Sequence, residues 1–190
     1  MELISLKYSI FVLILLALYY CFPKKCRWGV LLLGSISYYI IICKWYVIFI
    51  LLTILTTYFS AVAIDAMLKK QDAVVKEHKA EWDRQTRKEY REKGRKKRVA
   101  VMIAALVFNF GMLAFLKYIP YASKLGLLLP LGISFYTFQS MGYVMDVYRE
   151  KVEPQKNVFK LALFVSFFPQ IIQGPIAIYD NLAGQLYEGH

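Results

Sequence analysis

The chain has few of the residues that build disulfide frameworks and metal centres. Its 190 residues include three cysteines and two histidines. Cys21, Cys26 and Cys43 are odd in number and lie within or near apolar stretches, so they predict neither a disulfide framework nor a metal site. Cys26 stands among basic residues, where an acylated thiol and an inert one both fit the sequence. His78 lies in a polar segment and is interpreted as a surface residue.

Short catalytic motifs are missing too. The sequence has no glycine-rich phosphate loop, no paired metal ligands, no nucleophile elbow and no internal repeat. Acidic residues are scarce: 13 Asp and Glu stand against 24 Lys and Arg, for a formal net charge of +11. In a chain of apolar blocks, such an excess of basic residues indicates cytoplasmic loops rather than a nucleic-acid-binding surface. We therefore predict no nucleic-acid partner and no covalently bound cofactor.

Apolar residues are abundant and come in long blocks. They make up 58% of the chain, aromatic residues make up 16%, and the mean hydropathy is +0.44. A helix needs about 20 mostly apolar residues to cross a hydrocarbon core roughly 30 Å thick. The blocks predict an all-α, polytopic membrane protein. The predicted membrane helices are 8–22, 28–43, 45–64, 99–116 and 125–148, and a shorter apolar stretch follows at 158–168. No cleavage site follows the first block, which favours a span over a cleaved signal peptide.

Loop charge predicts the orientation. The segment 69–98 carries 13 Lys and Arg against 6 Asp and Glu, and the loop after the first block is also basic. Both follow odd-numbered spans and so lie on one side. By the positive-inside rule we expect a multi-pass plasma-membrane protein with its N-terminus outside and 69–98 in the cytoplasm. We treat 1–190 as a single membrane domain in contact with lipid.

The basic segment has two interpretations. Its end, 93–98, could form a patch for nucleic acid or anionic lipid. The alternative is a solvated cytoplasmic helix, supported by four acid-before-base pairs at helical i,i+4 spacing. The pairs are Asp72–Lys76, Asp83–Arg87, Glu89–Lys93 and Glu92–Lys96.

Polar residues recur on one face of the helix predicted from Ile133 onward. Tyr136, Gln139, Tyr143 and Asp146 follow helical spacing and form one stripe. Because lipid offers no hydrogen-bond partner, such groups face protein or a water-filled cavity. They either line a channel or only bond to neighbouring helices.

The stretch 158–168 is too short to span and ends at Pro169. Gln170 and Gln173 follow within an otherwise apolar run. Broken backbone of this kind is tolerated in a membrane only where protein or a cavity covers it. We expect a tilted or re-entrant element beside a pocket, with an ordinary interfacial helix as the alternative.

Two ordered motifs resemble the membrane-bound O-acyltransferases, in particular the bacterial alginate O-acetyltransferases and teichoic-acid D-alanyl transfer proteins. The first is LPLGISFYTFQ at 129–139, continued by YVMDVYR at 143–149. The second is FVSFFPQ at 164–170, continued by QGPI at 173–176. The stretch 109–118 is similar to the helix that precedes the first motif. The resemblance covers about 109–186, and the earlier residues agree only in hydropathy.

The resemblance implies a reaction. Family members pass an acyl group from a cytoplasmic thioester, such as acyl-CoA, to a hydroxyl on an acceptor. In this branch the acceptor is outside, either a polysaccharide or an acyl-transfer protein, and acetyl transfer to an exported polysaccharide is the first expectation. The implied fold has many helices around a thinned centre. The implied catalytic histidine belongs to a later apolar helix, C-terminal to residue 190, because His190 follows the second motif too closely. We expect these residues to be the N-terminal part of a longer enzyme and to be inactive alone.

We assign no chemical step to any residue of the chain and name seven channel candidates. Two other classes remain open. A transporter would also use broken helices, although its duplicate half is absent here. A scaffold subunit of a cell-envelope assembly complex would need no channel chemistry. The candidates are Tyr136, Gln139, Tyr143, Asp146, Arg149, Gln170 and Gln173.

Overall fold

The computed structural model describes residues 6–78, 81–118, 132–173 and 179–187, and those residues form helices and turns with no strand among them. The predicted all-α fold is confirmed. Two 3-10 turns, Lys24–Cys26 and Lys44–Tyr46, precede the second and third helices. The helices are α1 (Leu6–Cys21), α2 (Arg27–Cys43), α3 (Val47–Glu77), α4 (Arg84–Tyr118), α5 (Ile133–Tyr148), α6 (Val158–Ser166), α7 (Phe168–Gln173) and α8 (Tyr179–Tyr187).

Large apolar side chains cover the outside of the bundle. Leu13, Leu33, Ile41 and Val107 are between 64% and 69% exposed. Water-soluble proteins rarely expose apolar patches of this extent, whereas lipid-facing helices require them. Two helical stretches, Arg27–Glu77 and Arg84–Tyr118, are long and apolar enough to cross a membrane, and Tyr8–Cys21 and Val158–Gln170 are shorter apolar helices. These features support the predicted location in a membrane.

The chain reverses direction at Lys44, between α2 and α3. Lys44 has φ 48° and ψ −118°, which no helix can accommodate. Lys160 Nζ lies 5.9 Å from the centre of the Trp28 ring, and the Tyr58 hydroxyl donates to the carbonyl of Lys156. Trp28 and Tyr58 therefore both lie near the start of α6 although 30 residues separate them, so α2 and α3 run back along the same helix as a hairpin.

Helices α3 and α4 form a long antiparallel hairpin that contains the basic segment. Asn109 Nδ2 donates to Thr56 Oγ1 at 3.0 Å, and Gln71 Nε2 donates to the carbonyl of Tyr90 at 2.9 Å. The described residues of 69–98 are thus mainly the end of α3 and the beginning of α4, rather than one separate helix. None of the four predicted ion pairs forms among the described residues; the salt bridges there join Lys69 to Asp65 and Arg98 to Glu150.

Aromatic side chains close the tip of this hairpin. The His78 and Trp82 rings stack with centres 4.9 Å apart, and Trp82 meets Tyr90 edge-on at 5.1 Å. The carbonyl of His78 accepts from the backbone N–H groups of Glu81 and Trp82. His78 is half-buried by this packing, more than its predicted surface position implies.

Helix α5 packs in the centre of the described bundle. Gly132 has φ 68° as its N-cap, a left-handed conformation that glycine adopts without a steric cost. The helix therefore begins at Ile133, and the earlier part of the predicted block lies outside the described residues. The Phe138 ring meets Phe110 of α4 at 5.2 Å, and the Tyr136 ring meets Tyr39 of α2 at 6.3 Å.

Candidate functional site: the polar face of α5

The polar stripe of α5 turns inward. Tyr136, Gln139 and Tyr143 are 0%, 3% and 2% exposed, whereas Asp146 is half-buried and Arg149 is exposed. The helical spacing thus places the first three side chains inside the bundle and the last two toward its basic end. Their role as channel residues stays a prediction, because the described contacts are bonds to neighbouring elements.

Gln139 bonds to the end of α6. Its Nε2 donates to the carbonyl of Phe164 at 3.0 Å. Phe164 stands in the last turn of α6, where carbonyl oxygens have no partner within the helix. In a membrane an unsatisfied carbonyl costs several kcal/mol, on the order of the water-to-hydrocarbon penalty. Gln139 therefore stabilises the place where the apolar helix stops.

The chain breaks between α6 and α7 at Phe167, two residues before the predicted end at Pro169. Phe167 has ψ 103°, and Phe168 begins α7. Pro169 then lies in the first turn of α7, where the N–H group that proline lacks is not needed. The broken, apolar element that the sequence predicts is present, and the Phe168 ring packs 5.2 Å from Tyr38 of α2.

The two predicted glutamines fall in α7. The backbone N–H of Gln170 donates to the carbonyl of Phe167, and the Gln170 side chain is half-buried. Gln173 is the last residue of α7. The Gln173 side chain, Gly174, Pro175 and His190 lie outside the described part of the structure. The structure therefore brings Gln139 close to this broken element without placing Gln173 in the site.

A second polar cluster lies at the start of α6, and of its members only Tyr143 was a predicted candidate. The Tyr143 hydroxyl accepts from the backbone N–H of Gln155 at 2.8 Å, and Gln155 Nε2 donates to the Tyr179 hydroxyl at 3.1 Å. Asn157 caps α6 by accepting from the N–H groups of Phe159 and Lys160. These partners come from connecting segments and from α8, where no helical period marks them.

Several buried hydroxyl groups face the interior without a hydrogen-bond partner. They belong to four helices, and each is almost fully enclosed. Buried polar groups are normally paired, so donors left free inside an apolar bundle are candidates for contact with a polar substrate or solvent. Among the described residues, the unpaired hydroxyls include those of Ser35, Thr53, Thr57, Thr137, Ser140 and Ser166.

The basic end of α5 carries a strained residue. The N–H groups of Glu150 and Lys151 donate to the carbonyls of Val147 and Asp146, which closes α5 with a Schellman motif. This motif favours glycine, but the residue is Glu150 with φ 60°. Its carboxylate lies 3.4 Å from Arg98 Nη1 of α4. The strained position thus presents an acid to a buried arginine.

The described residues contain no group of three His, Cys, Asp or Glu side chains that could hold a metal ion. Cys21 and Cys26 are exposed, and Cys43 is buried. The structure therefore offers hydrogen-bonding groups and helix ends rather than a metal centre in this part of the chain.

Comparison with known proteins gives partial matches of one kind. A probable alginate O-acetylase AlgI of Pseudomonas syringae pv. tomato is 47% identical over 30% of this chain and 11% of its own length. A peptidoglycan O-acetyltransferase of Helicobacter pylori is 34% identical, over 44% of this chain and 23% of its own. A teichoic acid D-alanyltransferase of Lacticaseibacillus rhamnosus is 33% identical, over 45% and 21%.

The predicted resemblance to the membrane-bound O-acyltransferases is confirmed. The three relatives are named for acyl transfer to three different polymers. The matched part of the chain spans between 11% and 23% of their lengths. No protein-family model and no solved structure matches the chain.

Proposed function

We propose that the chain is part of a membrane-bound O-acyltransferase that moves an acyl group, in the first instance acetyl, to hydroxyl groups of a polymer outside the cell membrane. The donor is a cytoplasmic thioester such as acyl-CoA, and the acceptor is a cell-surface polysaccharide or an extracytoplasmic acyl-transfer protein. The observation that carries the proposal is that relatives with three different acceptors share acyl transfer in their names.

The structure supports this proposal through the polar interior of the bundle. An acyl group that passes between the two faces of a membrane needs hydrogen-bonding groups at membrane depth. The enclosed hydroxyls and the Gln139 contact at the break between α6 and α7 supply such groups. A helix can end inside an apolar bundle only where a cavity or another protein element covers the backbone that follows it.

In this proposal the described residues line the substrate path and carry out no chemical step. Tyr136, Gln139, Tyr143, Gln170 and Gln173 border the path of the donor or acceptor, and Asp146 and Arg149 stand toward its basic entrance. The general base that removes the acceptor's proton is the histidine that the resemblance implies. No described side chain is given that role.

A deletion in the cell tests the function. We expect a strain without this protein to make its surface polysaccharide in normal amount but with fewer O-acyl esters, measured by ester release at alkaline pH and by NMR of the purified polymer. Restoring the protein as the cell makes it should restore the esters. Loss of the polymer itself, with normal acylation of what remains, would favour a transporter or an assembly scaffold and overturn the proposal.

A further inference from the structure

A groove lies between the two arms of the α3–α4 hairpin, on the basic side of the bundle. Its volume is about 1080 Å³. It begins at Arg98, directly before the apolar part of α4, and extends along the helix to Arg84, a rise of roughly 20 Å. The groove therefore starts at the expected membrane surface and continues into the aqueous phase.

The lining of the groove is mainly cationic. Seven basic side chains line it, together with four acidic ones, Asp72, Asp83, Glu92 and Glu150. Six of the basic residues come from α4, and at 100° per residue they fall within an arc of about 100°. Repeated like charges on one helix face destabilise the helix. This arrangement therefore lowers helix stability unless an anion compensates the charge. The six are Arg84, Arg87, Lys88, Arg91, Arg95 and Arg98.

Two arginines in the lining have unused donors. Arg98 is 8% exposed, its Nε has no hydrogen-bond partner in the described structure, and its contact with Glu150 is long at 3.4 Å. The Nε of Arg87 is also buried and without a partner. A guanidinium group carries five N–H donors, and burying them unpaired is unfavourable. Both side chains also line the groove, so an anion there would compensate their charge beside these enclosed donors.

The arms of the groove are held at a fixed distance. The Gln71 side chain is 5% exposed and donates to the carbonyl of Tyr90. Gly94 makes this approach possible, because a Cβ atom there would overlap the Gln71 amide. The two arms therefore contact each other beside the cations, and a site that is formed before binding lowers the entropy cost of binding.

We propose that this groove is a binding site for a phosphate group. Arginine forks match phosphate oxygens in a bidentate manner. Arg84, the first residue of α4, also lines the groove, so the partial positive charge of a helix N-terminus lies beside it. Two sources carry this chemistry at a membrane surface: the headgroup of an anionic phospholipid and a soluble phosphate compound. The site does not depend on the acyl-transfer proposal.

Binding of phosphate-containing probes to the native protein tests the site. The protein is placed in nanodiscs of phosphatidylcholine and titrated calorimetrically with inorganic pyrophosphate, which represents the soluble source. For the lipid source, its melting temperature is compared between phosphatidylcholine discs and discs that also contain phosphatidylglycerol. We expect saturable pyrophosphate binding, a phosphatidylglycerol-dependent rise in melting temperature, or both, and the responding arm identifies the source.

Two pairs of substitutions give a matched comparison. Arg91→Gln with Arg95→Gln removes two exposed charges from the groove, whereas Lys96→Gln with Lys97→Gln removes two exposed charges from the opposite face. The groove pair should weaken the response about tenfold or more, as expected for losing two charge-assisted contacts, and the control pair should change it less than about twofold. Glu150→Gln should strengthen it, because Arg98 loses its competing acid.

Equal loss in both pairs would mean a diffuse charge effect and would overturn the proposal. An absence of any response in both arms would overturn it too. Unchanged melting temperatures of the substituted proteins in phosphatidylcholine discs show that the fold is intact.

Discussion

At the scale of single residues, a few polar side chains account for how the apolar helices associate. Asn109 is completely buried and bonds to Thr56 of α3 as well as to the carbonyl of Ala105. Gln139 bonds to a carbonyl that the helix cannot pair itself. In lipid, where apolar contact does not drive helices together, such bonds and close packing supply the association energy.

Asn109→Leu should weaken the α3–α4 hairpin. Measured by a double-mutant cycle with Thr56→Val, the coupling energy should be about 0.6 kcal/mol, the usual value for a hydrogen bond between membrane helices. Unfolding in mixed micelles provides the measurement. Additive losses from the two substitutions would show that the contact contributes no coupling energy.

Gln139→Leu should destabilise the end of α6, because it leaves the Phe164 carbonyl buried without a donor. The expected loss is about 1–3 kcal/mol of unfolding free energy. Phe135→Leu is the control, since Phe135 is exposed on the same helix and should change stability by less than ~0.5 kcal/mol.

The effect on activity separates the two roles of Gln139. If it borders the acyl path, Gln139→Leu lowers acylation even where membrane insertion and the amount of folded protein are normal. A loss of acylation that only follows the loss of folded protein would mean that Gln139 is purely structural.

At the scale of helices, close approach depends on small residues. A Cβ atom on Gly34 of α2 would lie 2.5 Å from Leu15 Cδ1 of α1. Leu15 is buried at 7% exposure, whereas most of its large apolar neighbours on α1 face outward. The contact between α1 and α2 therefore includes one closely fitted glycine–leucine pair, in addition to the Tyr8 and Phe11 rings that pack on Tyr38.

Gly34→Ala should separate α1 from α2 at a cost of about 1–3 kcal/mol, the range for overpacking. Adding Leu15→Ala should recover part of that loss by making room. Gly29→Ala is the matched control, because nothing lies within 4 Å of a Cβ atom there. Thermal unfolding in detergent measures all four proteins, and an equal effect at Gly29 and Gly34 would contradict this packing.

The helices were largely predictable, and their ends were less so. Apolar block length identified α1, α2 and the apolar parts of α3 and α4. The polar extensions of α3 to Glu77 and of α4 back to Arg84 carry no apolar signal, so the hairpin geometry was not foreseen. Helical spacing located Tyr136, Gln139 and Tyr143 on one face, because a buried polar stripe follows the helix period.

The partners of that stripe could not be read from the sequence. Gln155 lies in a connection without regular structure, and Tyr179 comes from a short helix 36 residues beyond Tyr143 along the chain. Only tertiary packing brings them together. The break at Phe167 was displaced by two residues from its predicted place, since proline is tolerated in the first turn of the next helix.

At the scale of the whole molecule, the chain combines a lipid-facing exterior, an interior with unpaired hydroxyls and a cationic groove at one end. Glu150 and Arg98 join the groove to the end of α5, so the polar stripe and the groove meet at the same end of the bundle.

The most direct measurement follows an acyl group across a sealed membrane. Right-side-out vesicles that hold the protein as the cell makes it are loaded with radiolabelled acetyl-CoA, and the surface polysaccharide is supplied outside. The account predicts label in ester linkage on the external polymer, and none in vesicles without the protein. Equal labelling with and without the protein, or no labelling of any external acceptor in intact vesicles, would contradict it.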